Sequence, residues 1–152
     1  MKAKFSPLEL LRFDLLQSNF SFKIPKEDEI DLRELFQSYP VEIDFAHHPQ
    51  EDDTIHVQVI IEVNNGKRPK EGYSFVVEGY GVFRINNEDG LEEDLIKNLR
   101  MYSTTNMMIN NLRNIMYQTS NLGPMDGYQL PPIDILDLFR KKEKAEKKQE
   151  KE

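Results

Sequence analysis

Residues 55–66 read Ile-His-Val-Gln-Val-Ile-Ile-Glu-Val-Asn-Asn-Gly, and every second residue of the first nine is a branched apolar residue. This period of two predicts a β-strand with one buried face, because successive side chains of a strand point to opposite sides. The Asn-Asn-Gly that follows has the residue types of a turn and ends the strand. The same alternation predicts strands at 20–24, 41–45 and 73–85. Consecutive strands joined by short turns favour an antiparallel sheet with one face in water.

Two irregularities interrupt this alternation. Phe13 and Leu15 are out of phase with the strand at 20–24, which predicts a bulge or bend near residues 16–18. Glycines flank a tyrosine at 79–81, inside the fourth strand, and predict a bulge or kink there.

Beyond residue 90 the spacing of apolar residues changes from two to the three or four that a helix requires. The helical series is Leu91, Leu95, Leu99, Tyr102, Met108, Leu112, Ile115 and Met116. The polar run at 103–105 divides this series and predicts a break or kink. Strands followed by helices are typical of an α+β domain.

Residues 128–139 read Tyr-Gln-Leu-Pro-Pro-Ile-Asp-Ile-Leu-Asp-Leu-Phe. The two prolines exclude a helix just before them, because proline lacks a backbone donor and favours extended geometry in its predecessor. Asp134 can then cap a new helix, predicted over 135–150, whose first turn is apolar. A rigid apolar connector (121–133) leading into a helix suggests recognition of other chains more than catalysis.

The connection at 25–40 is bounded by two prolines and is polar at its start, yet it carries several large apolar residues. A connection of this length within a compact domain is usually either functional or disordered. Its apolar content favours a functional role.

The length of 152 residues predicts one domain, placed at 1–139 and followed by a charged helix end or tail at 140–152. The net charge is −7 for the whole chain, with +3 in residues 140–152 and −10 in residues 1–139. An acidic body makes nucleic acid an unfavourable partner, because binding to it depends on neutralising phosphates. The basic tail is interpreted as a solubilising helix end, with a regulatory docking segment as the alternative.

The chain has no cysteine, which excludes a disulfide framework and thiolate chemistry. Glu9, Arg12 and Asp14 interrupt any signal-peptide core near the N-terminus, and no apolar stretch reaches the length of a membrane span. A cytoplasmic protein without a membrane span is therefore expected.

The three histidines, His47, His48 and His56, lie close together in the sequence, with Asp52 and Asp53 between them. Imidazole and carboxylate groups suit zinc and related ions. However, adjacent residues of a strand point to opposite faces, and the intervening segment has the pattern of a hairpin turn. A solvated hairpin is the favoured interpretation, and no metal is predicted.

Other residue types that could carry chemistry have structural explanations. The carboxylates at 92–94 lie in a first helical turn, where they complement the helix dipole. The glycines at 79–81 lack the third glycine of a dinucleotide-binding loop. Methionines at 107, 108 and 116 suit either a core or an adaptable binding surface. The chain is therefore predicted to have no catalytic residues and no cofactor; a metal requirement traced to the histidines would revive an enzymatic interpretation.

Three stretches in order resemble the family of SecB export chaperones: Phe20-Ser21-Phe22-Lys23-Ile24-Pro25, then 79–85, then 106–113 with 130–139. The resemblance implies a four-stranded antiparallel sheet followed by two helices packed on one face, assembled as a dimer or a tetramer. It also implies a holdase, a chaperone that binds unfolded polypeptides in an apolar groove without cofactors.

The resemblance assigns residues to two surfaces. One wall of the client groove would comprise Leu32, Leu35, Phe36 and Tyr39, and the other Leu122, Met125, Tyr128, Leu130 and Ile135. The subunit interface would include Met108, Leu112 and Ile115.

The chain departs from the family pattern in two places. Residues 109–111 are Ile-Asn-Asn where the family usually has an aromatic-proline-tyrosine run. The family docks the SecA motor through acidic residues on the sheet, whereas the matching positions here are Asn19, Lys23, Ser74 and Val76. Delivery to SecA therefore stays open, as do a dedicated client such as an antitoxin and an adaptor that binds one folded partner.

Overall fold

The computed structural model describes residues 1–26, 29–48 and 50–149. Four strands form one antiparallel sheet in the order β1-β4-β3-β2. Their bounds are Leu8–Lys23 for β1, Val41–His48 for β2, Thr54–Val63 for β3 and Gly72–Ile85 for β4. The predicted α+β class with an antiparallel sheet is confirmed. Among the described residues, β1 and β2 are the edge strands, and each pairs with one neighbouring strand.

The first strand is longer than the alternation at 20–24 predicted, because β1 begins at Leu8. Its pairing with β4 shifts register between Leu10 and Arg12 and again between Leu15 and Gln17. The second shift confirms the predicted irregularity near 16–18. Each shift changes the phase of the buried side chains, which explains why the sequence pattern broke upstream of residue 20.

The glycines at 79–81 do not form a bulge in β4, since β4 pairs with β3 there without any register shift. The irregularity lies opposite, in β1. A Cβ atom on Gly79 would lie 2.9 Å from Phe13 and 3.1 Å from Leu112, and a Cβ on Gly81 would collide with Met108. These glycines therefore allow the helix above the sheet to approach closely.

The helical region begins with α2 (Glu93–Asn98), continues as a π-helical turn (Leu99–Ser103) and ends as α3 (Thr104–Ser120). The irregularity predicted at 103–105 is present as this π-helical turn, which begins a few residues earlier, at Leu99. The turn does not interrupt the helix. Thr104 and Thr105 donate their hydroxyls to the carbonyls of Arg100 and Met101 at 2.6 and 2.8 Å. Bonds of this kind compete with the regular helical pattern.

One face of the sheet and α3 together form the core. The alternating side chains of β3 from Ile55 to Val63 are buried, as the sequence predicted. Fully buried residues of α3 cover them: Met108, Ile109, Leu112 and Met116.

The connection at 25–40 contains a short helix, α1 (Leu32–Gln37), which the sequence pattern does not predict. Asp31 caps it by accepting from the backbone N–H groups of Arg33 and Glu34 at 3.0 and 3.1 Å. A helix of fewer than two turns has no periodic apolar stripe to reveal it.

The connector after α3 begins with turns and bends at 121–125, has no helix or strand up to residue 134 and leads into α4 (Ile135–Gln149). Asp134 accepts from the backbone N–H of Asp137 at 3.0 Å, which confirms the predicted helix cap. Arg113 of α3 holds the connector by donating to the carbonyls of Leu130 and Pro131 at 2.9 and 3.0 Å. The helix α4 runs through the predicted domain boundary at 139, and the last three residues of the predicted tail lie outside the described residues.

Candidate functional site

An open groove with a volume of about 540 Å³ lies between β2 and α4. Its β2 wall is the consecutive stretch 41–45, and its other wall is formed by Ile133, at the end of the connector, and by one side of α4. Consecutive strand residues point to opposite faces of a sheet, so a groove lined by five in succession follows the edge of the strand. We call this feature the edge groove.

The apolar lining of the edge groove is Val41, Ile43, Phe45, Ile133, Leu138 and Ala145. Within the part of the chain that the structure describes, β2 pairs with β3 alone, and its residues 41–45 line the groove, so an unpaired strand edge lies at the groove. An unpaired strand edge offers a row of backbone donors and acceptors to any extended chain that lies beside it. The edge groove thus combines apolar surface with a free strand edge.

Packing around Phe139 fixes the position of α4. The Phe139 ring is buried and lies 4.5 Å from the ring of Phe45 and 4.7 Å from that of Tyr102, between centroids. Such aromatic contacts add to the stability that burial alone provides. Phe139 therefore anchors α4 over the end of β2.

His47 lies beside this anchor on the helix-covered side of β2. Its ring is 6.2 Å from Phe139, and its Nε2 atom is 3.3 Å from the hydroxyl of Thr104. Burial lowers the pKa of His47 below 6.5, because the charged imidazolium is poorly solvated there. The neutral form of His47 is the one that fits this packing.

The other two histidines lie on the open face of the sheet, which confirms that His47 and His48 point to opposite sides. His48 stacks on Tyr80 with 5.8 Å between ring centroids, and His56 Nδ1 is 2.8 Å from the Tyr80 hydroxyl. Within the described ranges, no three His, Cys, Asp or Glu side chains lie together as metal ligands.

Two ion pairs lie at the edge groove. Lys142 of α4 contacts Asp44 of β2 with an N–O distance of 2.6 Å, so this pair joins the two walls. The ammonium nitrogen of Lys142 also lies 5.7 Å from the ring centroid of Phe45. Lys141 contacts Asp137, also at 2.6 Å, but both residues belong to α4.

The residues predicted to line a client groove surround a different feature, which we call the aromatic cluster. Its members touch one another beneath α1 and are Phe20, Phe22, Phe36, Tyr39, Tyr73, Phe75 and Tyr128. Phe36 meets Tyr128 edge to face at 5.4 Å between centroids. The two predicted walls are therefore in contact with each other.

Hydrogen bonds from buried hydroxyls tie the aromatic cluster to the backbone. Tyr39 donates to the carbonyl of Glu71 at 2.8 Å and accepts from the N–H of Tyr73 at 3.0 Å. The Tyr73 hydroxyl accepts from the N–H of Met125 at 3.0 Å and lies 3.0 Å from the carbonyl oxygen of Ser120. These bonds fix the connector against β4.

Tyr128 is the exception within the aromatic cluster. Its side chain is 1% exposed, and its hydroxyl is the single buried side-chain polar atom without a partner among the described residues. Burial raises the pKa of Tyr128 to about 12, with a smaller contribution from nearby Tyr39. A buried polar group without a partner costs about 1–3 kcal/mol.

The predicted client residues differ in exposure. Tyr39, Tyr128 and Leu130 are buried. Leu32, Leu35, Phe36, Met125 and Ile135 are half-buried, and Leu122 is 87% exposed. None of the nine lines the edge groove. Their role in client binding stays a prediction.

The sequence interpretation missed the edge groove although it identified both of its parts. Local patterns predict the strand β2 and the helix that begins after Asp134, but nothing local indicates that the two lie side by side.

The residues predicted for a subunit interface differ in burial. Met108 and Leu112 are fully buried in the chain's own core, so neither exposes surface that a second subunit could contact in this conformation. Ile115 is half-buried, and its interface role stays a prediction.

Comparisons with known proteins agree with this architecture. The model of a family described as preprotein translocase subunit SecB matches residues 14–146. Among solved structures, the chain is similar to a SecB-like chaperone from Mycobacterium tuberculosis in complex with a peptide from the HigA1 antitoxin. That match has a TM-score of 0.53 and 12% identity, and covers 84% of this chain and 91% of the other. At this identity the likeness concerns the fold.

A second solved structure, a protein of unknown function from Streptococcus agalactiae, matches with a TM-score of 0.40 and 11% identity over 82% of this chain and 97% of that one. No curated protein matches the chain. Among the described helices, none has both the length and the apolar character needed to span a bilayer.

Proposed function

The chain belongs to the SecB family, and from this premise we propose that it is a holdase, which binds unfolded polypeptides reversibly and prevents their aggregation. The observation that carries the proposal is the edge groove, where apolar side chains flank a free strand edge. Such a site recognises what unfolded chains share, namely exposed apolar side chains and unpaired backbone groups. The mechanism is physical and involves no covalent step.

An extended client segment would pair its backbone with β2 and place alternate side chains in the groove. Backbone pairing of this kind supplies affinity with little dependence on sequence, and the pockets supply preference. Each apolar side chain buried against Ile43, Phe45 or Leu138 contributes about 1–3 kcal/mol. Ordering the client opposes this gain, so one groove binds weakly.

The predicted client residues around α1 extend the proposed binding surface. Leu35 and Met125 approach the same point above Gly72, and both are half-buried. Leu122 lies at the exposed turn after α3. We propose that this apolar patch contacts clients that are too long for the edge groove alone.

We further propose that the protein is a homo-oligomer paired along β1. This edge strand has 16 residues and exposes Leu11, Leu15 and Leu16, which makes it unusually apolar for a free edge. A second copy can pair with it in antiparallel orientation. Several grooves on one assembly would hold a long client by effective concentration. The mass of the protein in solution tests this step, since a monomer would contradict it.

A dedicated partner is the second candidate function. Asn19, Lys23, Ser74 and Val76 stand at the positions matched to SecA docking, and none is acidic. This composition favours a chaperone with its own client, such as an antitoxin, over delivery to the export motor. A dedicated chaperone would bind one partner tightly and leave unrelated unfolded proteins to aggregate.

The test uses the absence of tryptophan from the chain. Ala145 is exposed and lines the edge groove, so Ala145→Trp would narrow the groove without disturbing the core. Its neighbour Lys144 does not line the groove, so Lys144→Trp is the matched control. We expect Ala145→Trp to weaken the suppression of light scattering by an aggregating unfolded protein, and its emission to shift when that protein binds.

The control variant should match the parent protein in scattering and show no shift in emission. Equal behaviour of the two tryptophan variants would place client binding elsewhere. Failure of the parent protein to suppress the scattering of any unfolded protein would rule out the general holdase and favour the dedicated partner.

A further inference from the structure

We propose that Lys142 and Asp44 form a latch that closes the edge groove and that a client must open. The inference rests on the proposed function, because it concerns access to the same groove. Among the described residues, this is the one ion pair that connects the two walls, with 2.6 Å between Lys142 Nζ and Asp44 Oδ1.

The latch occupies the place that a client strand needs. Asp44 lies within the stretch 41–45 that forms the β2 wall, and the Lys142 side chain reaches it from α4. A client backbone paired with β2 would run between these two residues. The ammonium group must therefore move before the strand can be added.

The Asp44 side chain also accepts a hydrogen bond from a backbone N–H group on the unpaired edge of β2. Its Oδ1 atom accepts from the N–H of Phe45 at 2.8 Å, and the same oxygen contacts Lys142. Lys142 in turn covers the ring of Phe45, an apolar surface of the groove. The two residues of this ion pair thus make both the backbone N–H and the aromatic ring of Phe45 less accessible to a client.

The latch is weak enough to open. The side chain of Asp44 is 66% exposed and that of Lys142 is 29% exposed. Ion pairs with this exposure contribute little to stability, and salt screens them. Opening the latch therefore costs a small factor in the affinity of a client, about two- to fivefold.

The chain offers a matched control for this ion pair. Lys141 and Asp137 form an ion pair of the same length, at the same groove, but within α4. Removing either lysine changes the net charge of the protein equally. Only the removal of Lys142 would open a path between the walls.

The first experiment measures the binding of a fluorescent, reduced and alkylated polypeptide that stays unfolded. Lys142→Met keeps an apolar side chain over Phe45 but removes the charge, and it should bind this probe about two- to fivefold more tightly than the parent. Lys141→Met removes the same charge from the groove lining but no contact between the walls, so it should gain less affinity than Lys142→Met does. Raising the salt from about 0.1 to 1 M, which shortens the Debye length from about 10 to 3 Å, should reduce the difference between the two variants.

The second experiment closes the latch permanently. Since the chain has no cysteine, Asp44→Cys with Lys142→Cys can be cross-linked selectively by a short bis-maleimide. The cross-linked protein should lose binding of the probe, whereas the same variant capped with a monofunctional maleimide should keep it.

Each outcome separates the latch from the proposed function. A parent protein that does not bind the probe contradicts the holdase itself. Binding by the parent, together with equal affinities of the two methionine variants or with undiminished binding after cross-linking, overturns the latch and leaves the holdase intact.

Discussion

The aromatic cluster and the edge groove are both apolar regions where a helix lies over the sheet, yet only one of them is open. In the aromatic cluster, the hydroxyls of Tyr39 and Tyr73 bond to the backbone and hold the rings in a closed arrangement. At the edge groove, α4 is held by Phe139 and by one exposed ion pair, beside a strand edge without a partner. The difference teaches that two apolar regions of one fold can differ in what they leave accessible. What distinguishes the edge groove, our proposed site, is the strand backbone left unpaired beside it.

The largest expected effect comes from removing the anchor of the edge groove. Phe139→Ala should lower the free energy of unfolding by about 3 kcal/mol, because a buried aromatic side chain leaves a cavity between Phe45 and Tyr102. It should also abolish client binding by releasing α4. Chemical denaturation and probe binding measure the two effects.

The control for this change is Leu136→Ala on the same helix. Leu136 is 53% exposed, so its truncation should change stability by less than about 0.5 kcal/mol. If Phe139→Ala kept full client binding despite its lower stability, α4 would not be a wall of the site.

Smaller changes in stability are expected within the aromatic cluster, and they should differ between Tyr73 and Tyr128. Tyr73→Phe should destabilise the protein by about 1–3 kcal/mol, because it leaves the backbone groups of Met125 without their partner. Tyr128→Phe should instead be neutral or stabilising by about 1 kcal/mol, because it removes a hydroxyl that has no partner. Urea denaturation of both variants measures the contrast. Equal destabilisation by the two changes would mean that the Tyr128 hydroxyl is bonded in solution.

The smallest effect is a difference in how the two regions respond to pH. The pKa of His47 is lowered by burial, so its contribution to stability is complete above pH 6.5 and is lost as the pH falls below that value. The pKa of Tyr128 is raised from 10 to about 12, so its contribution is complete below pH 10 and is lost as the pH rises toward 12. For Tyr128 the loss should amount to about 1 kcal/mol between pH 10 and pH 11.

Two variants separate these contributions. His47→Gln should flatten the stability profile below pH 6.5, and Tyr128→Phe should flatten it above pH 10. Burial also raises the pKa values of Tyr39 and Tyr73, so part of the alkaline loss should persist in Tyr128→Phe. A variant that flattened the opposite limb would contradict the assignment of that limb.

Much of the fold could be predicted because its signals are local. The alternation in β2, β3 and β4, the helical spacing of α3 and the cap at Asp134 each depend on residues within a few positions of one another. The resemblance of three stretches to SecB proteins supplied the family. The short helix α1 was not predicted, because six residues are too few to show the helical spacing of apolar side chains.

The candidate site could not be predicted in the same way. The residues predicted to bind clients are apolar, but the sequence could not show that Tyr39, Tyr128 and Leu130 are buried. The alternation at 41–45 predicted a strand, but it could not show that the Phe45 ring contacts Phe139 or that the Phe45 N–H donates to Asp44 at the sheet edge.

The sequence by itself determined most of the strands, the long helices, where α4 begins and that the sheet has one covered face, because side-chain periodicity acts over a few residues. Only the tertiary structure decided that β2 is an edge strand and that α4 returns to lie beside it. Those facts depend on pairings between distant segments, and long-range pairing determines which backbone groups and which apolar side chains stay accessible at the edge groove.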